Sequence, residues 1–102
     1  KFSSKLLFVK KDRRLSWQYH ERRTELLKVY FGKIIVIVSN DNFEKNQTIL
    51  NKGDEIKIDN KQRHRIIGID ELSIIAEIWI HTFNNNPSNE NDIIRIQDDY
   101  DR

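Results

Sequence analysis

Residues 25–40 read ELLKVYFGKIIVIVSN, and this stretch decides between helix and sheet. The run IIVIV at 34–38 is β-branched throughout, a composition that packs well on a pleated surface and poorly on a helix. Gly32 interrupts it, which predicts two strand segments meeting at a turn. On the C-terminal side, Ser39–Asn46 is a polar loop and Gln47–Leu50 resumes an extended pattern. Asn51–Asp54 turns the chain, and Glu55–Asp59, EIKID, alternates charged and apolar residues with the period of a half-buried strand. After the polar turn NKQR at 60–63, His64–Ile69 and Ser73–Ile80 are two more strands. Thr82–Asn91, holding the only proline, Pro87, is a loop. Asp92–Asp98 is the last strand. On the N-terminal side lie Lys5–Val9, a charged connection at 10–14, and Leu15–His20. Eight or nine short strands without a helix predict an all-β barrel or sandwich in a single domain, 1–102.

Composition narrows the function. The 102 residues carry no cysteine, so disulfides, thiolate metal sites and thiol nucleophiles are all excluded. A net charge of +2, from 18 basic and 16 acidic residues, gives no electrostatic case for a nucleic acid or a membrane as partner. No apolar run approaches the roughly 18 residues of a membrane helix, and the first residues lack a signal-peptide core. The expectation is a soluble, unprocessed, cytoplasmic domain with a small-molecule ligand. Exposed strand edges further predict a homodimer.

Strand alternation puts Ser16, Gln18, His20 and Arg22 on one face, with Leu15, Trp17 and Tyr19 opposite. Such a polar face is ordinarily solvent-exposed, but in the mouth of a small barrel it lines a pocket. Ile75, Glu77, Trp79 and His81 share a face in the same way.

His20, Arg22, Glu25 and Gly32, followed by Gly53, Asp59, Lys61 and His64, fall at the spacings of the two cupin motifs. The chain resembles the cupin superfamily. Around Leu15, Ser16, Gln18, His20, Arg23 and Glu25, and again at Asp92, Ile93, Arg95, Asp98, Tyr100 and Arg102, it is most similar to the cupin-type mannose-6-phosphate isomerase domain. The resemblance implies an antiparallel jelly-roll barrel, the double-stranded β-helix. It also implies a divalent metal (Zn, Mn, Fe, Co or Ni) on His20, Glu25 and His64, a donor set of imidazole and carboxylate that suits these ions. Arg22 stands where the family has a second histidine, and a guanidinium cannot ligate a cation; Gln18 is the candidate replacement. The implied reaction is aldose–ketose isomerisation of a sugar phosphate, with Glu77 as base and Arg22, Trp79 and Arg95 as substrate-binding residues. Arg22 would either hold a phosphate by its fork or neutralise Glu25 or Glu77. The competing function is a non-catalytic cupin that binds a small sugar-like or anionic ligand. In the bland readings Glu77 is one half of a salt bridge, His81 caps a turn, and Arg95, Asp98, Tyr100 and Arg102 form a solvated tail or close the rim of the pocket.

Overall fold

The computed structural model describes residues 2–99, so Tyr100 and Arg102 lie outside the described residues. Nine strands follow one another: β1 (Phe2–Lys10), β2 (Trp17–Tyr19), β3 (Arg23–Phe31), β4 (Lys33–Ser39), β5 (Asn46–Asn51), β6 (Glu55–Ile58), β7 (Arg63–Gly68), β8 (Leu72–His81) and β9 (Ile94–Gln97). They form two antiparallel sheets, ordered β1-β8-β3-β6 and β5-β4-β7-β2-β9. This is the jelly-roll sandwich expected from the sequence.

The predicted break at Gly32 is the β3–β4 turn. Its φ of +82° lies where L side chains are strained, and a Cβ there would come within 2.4 Å of Ser73 Oγ. Ser73 uses that proximity: its hydroxyl accepts from the Lys33 amide and donates to the Lys33 carbonyl, tying the turn to β8.

Inward residues change character along the strands. β3 points Arg23 and Glu25 inward at one end and Leu27 and Val29 at the other; β8 runs from Trp79 and Glu77 to Ile75, and β7 from His64 to Ile66. The apolar halves meet Val9, Ile34, Val36 and Ile58 in one core. The polar halves face each other across the opposite end of the sandwich. The same alternation that builds the core therefore builds the site, with only the residue types exchanged.

Three sequence expectations shift, the strand predicted over Asp92–Asp98 among them, which narrows to Ile94–Gln97 and leaves Asp92 in the preceding loop. The strand predicted over Leu15–His20 shrinks to Trp17–Tyr19, because residues 20–22 bend out of the ladder. β1 begins at Phe2, ahead of Lys5, and pairs with β8 along its whole length.

Candidate functional site

The polar end encloses a cavity of about 240 Å³. His20, Arg23, Glu25, His64 and Glu77 form its buried walls, and the exposed Lys5, Glu90 and Arg95 stand at its mouth. β3 supplies Glu25 and Arg23, β7 His64, β8 Glu77, and the bend after β2 His20.

The protonation pattern of the two imidazoles follows from their partners. His20 Nδ1 lies 2.7 Å from the Asp92 carbonyl oxygen, and His64 Nδ1 lies 3.1 Å from that of Gln62. A carbonyl only accepts, so both Nδ1 atoms carry the proton and donate it. Both Nε2 atoms then turn toward Glu25, at 3.5 Å from His20 and 3.1 Å from His64. Arg23 NH2 donates to His20 Nε2 at 3.2 Å, which requires that atom to be an unprotonated acceptor. His64 Nε2 faces the Oε1 oxygen of Glu25. One ligand atom from each of His20, Glu25 and His64 lies within 4.8 Å of the others. Neutral imidazoles with Nδ1 tied to carbonyls and Nε2 facing a carboxylate have the tautomer and donor set that hold divalent ions. The cluster predicted from sequence is thus brought together and could hold a metal.

One cation is already built in. Arg23, 5% exposed, makes four hydrogen bonds: Nε to Glu25 Oε2, NH1 to Ser88 Oγ and the Asn89 carbonyl, and NH2 to His20. Its guanidinium carbon lies 3.7 Å from the centre of the Trp79 ring. Burial would raise the Glu25 carboxyl, but whenever His20 and His64 are protonated their hydrogen bonds and charge outweigh that and hold it far below the ordinary carboxylate range. The adjacent Glu77 goes the other way. Burial, then the Glu25 charge beside it, push it up to about 7, although the Trp79 indole donates to it.

Two sequence assignments need correction. Arg22 does not line the cavity, because the bend at 20–22 breaks strand alternation and the next residue, Arg23, takes the inward position. Arg22 Nε is instead buried with no hydrogen-bond partner among the described residues, and the backbone amide of Arg22 donates to Asp92. Trp79 is no open platform either, since it lies behind the wall under Arg23. Gln18 does line the cavity and pairs with His64 across β2–β7, but its amide donates to the Ser16 carbonyl. Arg95 stands at the mouth, 3.9 Å from Asp98. His81 caps the loop after β8 by accepting the Ser88 amide, as its bland reading required.

Asp92 belongs to the closing motif read in the sequence but was given no part in the site, and its partners explain why. Its carboxylate accepts from the amides of Glu21 and Arg22 and from the Ser88 hydroxyl, and no local sequence pattern marks main-chain contacts across 70 positions.

The fold is that of cupins. The cupin domain of Drosophila melanogaster CENP-C superposes with a TM-score of 0.69 and 26% identity over 76% of this chain and 56% of that one. A dTDP sugar isomerase from Desulfovibrio desulfuricans gives 0.75 and 19%, covering 95% and 65%. The capsular polysaccharide assembling protein CapF from Staphylococcus aureus gives 0.74 and 15%, covering 95% and 29%. The chain spans between half and two thirds of the length of the CENP-C structures it matches. No family model and no curated protein matches the sequence. Among the described residues no helix is long and apolar enough to cross a membrane.

Proposed function

We propose that this domain isomerises a small sugar phosphate with the help of a divalent metal, in the manner of the mannose-6-phosphate isomerases its sequence resembles. The observation that carries the reading is the pair of inward Nε2 atoms converging on Glu25. His20, Glu25 and His64 would hold the ion, with Gln18 at the adjoining wall. A bound ion would polarise the sugar's carbonyl and hydroxyl oxygens. Glu77 is the base: it accepts a proton from the carbon next to the carbonyl and returns it to the neighbouring carbon, while a second proton passes between the two oxygens. Arg95, with Lys5, meets the phosphate at the mouth. The test is elemental analysis followed by NMR of aldose and ketose phosphates in D2O. Near-stoichiometric metal, lost in His64→Ala, and deuterium entering at the carbon beside the carbonyl are expected. Metal-free protein that takes up no Zn, Mn or Fe and exchanges no proton overturns the proposal.

The Arg23 network favours a second reading, a non-catalytic cupin in which the guanidinium stands in for the metal as counter-charge to Glu25. Sugar-phosphate binding by a protein that takes up no ion and turns nothing over supports it.

A homodimer is part of the proposal. Leu6 and Phe8 of β1 register with Ala76 and Ile74 of β8, and Leu26 of β3 registers with Ile78. They leave an apolar outer face on which Phe8 is 65% exposed and Leu6 54%. Phe8→Lys should convert a dimer to a monomer in sedimentation equilibrium; a wild-type monomer at high concentration overturns it.

A further inference from the structure

The loop between β8 and β9 reaches two members of the inner site from outside the strands that build it. Its Asp92 carbonyl accepts the His20 Nδ1 proton at 2.7 Å. The Asp92 carboxylate accepts from the Glu21 amide at 2.9 Å, the Arg22 amide at 3.0 Å and the Ser88 hydroxyl at 2.6 Å. Ser88 Oγ and the Asn89 carbonyl in turn accept from Arg23 NH1. His20 lies in the bend after β2, outside the ladders; the carbonyls of His20 and Arg22 accept from the Lys61 and Thr82 amides, and Asp92 takes the amides of Glu21 and Arg22 on the other side of the chain. The amides that Asp92 caps belong to the next two residues, so side chain and carbonyl of one residue fix both the bend and the ring it presents.

We infer that Asp92 is a positioning residue for the site: it locks His20 in the Nδ1–H tautomer, with Nε2 aimed at Glu25, and through Ser88 it fixes the guanidinium of Arg23. A ring whose proton is pinned by an outer acceptor keeps its free lone pair directed inward, and losing such an outer partner typically lowers metal affinity 10–100-fold. The inference rests on reading His20 Nε2 as a metal donor, but its first consequence, the tautomer, does not require an ion.

The experiment uses the full chain, labelled with 15N at histidine, and compares wild type with Asp92→Ala. Asp92→Asn serves as the milder variant should the alanine form fail to fold. Both variants keep the main-chain carbonyl at position 92 and lose the carboxylate that holds it in place, so ring nitrogen spectra of metal-free protein should show His20 as a single Nδ1–H tautomer in wild type and, as that carbonyl drifts from the ring, as a mixture in the variant. His64, tied to Gln62, should not change. Zn²⁺ titration should then show an affinity at least tenfold weaker in the variant. A folded variant with an unchanged His20 tautomer overturns the inference. If wild type takes up no Zn²⁺, the metal reading fails, and the tautomer comparison still decides the role of Asp92.

Discussion

Replacing Glu25 by Gln keeps the side chain's shape and removes its charge, and the geometry indicates what should follow. Glu25 is 1% exposed, and Arg23 donates to it at 3.0 Å. At that separation, with an effective dielectric of about 20, the Coulomb attraction is about 5–6 kcal/mol. Desolvating both ions opposes it, so the pair adds far less than that to net stability. Breaking the pair is a different matter, because Arg23 stays buried with a permanent charge, and such changes cost about 3–5 kcal/mol. Glu77 Oε1 stands 3.9 Å from Arg23 and can replace part of the lost charge by ionising, which favours the lower end, about 3 kcal/mol. For a domain of this size that is a fall in Tm of about 12–24 °C. Thermal and urea unfolding of metal-free protein at pH 7.5 would measure it. A cycle with Arg23→Met should show coupling of about 2 kcal/mol, the double variant losing less than the two singles together. A loss below about 1 kcal/mol, or simple additivity, would refute the view that Glu25 and Arg23 neutralise each other inside the site.

In carbon-detected NMR the Glu77 carboxyl should titrate at about 7 in metal-free protein, and Glu25→Gln should lower that midpoint. A raised carboxyl favours the fold only while protonated, so the metal-free protein should lose stability as pH rises from 4.5 toward 7, and Glu77→Gln should flatten the profile. Asp41, held at about 2 by the Lys45 ammonium and then the Phe43 amide, contributes stability above its ordinary value of 3.8 and loses it as pH falls through 2; Lys45→Ala should raise its midpoint. Gly32→Ala should cost at least about 2 kcal/mol in urea unfolding, because the positive φ and the approach to Ser73 oppose a Cβ together.

Much of the sheet was legible because strand alternation is a local property. Ser73–Ile80 and Glu55–Asp59 present the faces their period assigns, and Gly32 turns the chain where its lack of a side chain is needed. His20, Glu25 and His64 converge because their motif spacings span turns the fold preserves. Arg22 and Arg23 exchanged places because alternation carries information only within a strand, and the bend at 20–22 resets it. Trp79 looked available because nothing in its own stretch reveals that Arg23, 56 positions earlier, covers it.

The pairing of β1 with β8 joins residues 62 to 78 positions apart. During synthesis at roughly 5–20 residues per second, the first strand therefore emerges about 3–16 seconds before its partner. Through that interval Leu6 and Phe8 sit on an unpaired ribbon in the nascent chain, open to any strand that passes. The last strand of the first sheet to be translated is also its organiser, since among the described residues β8 is the one strand β1 pairs with.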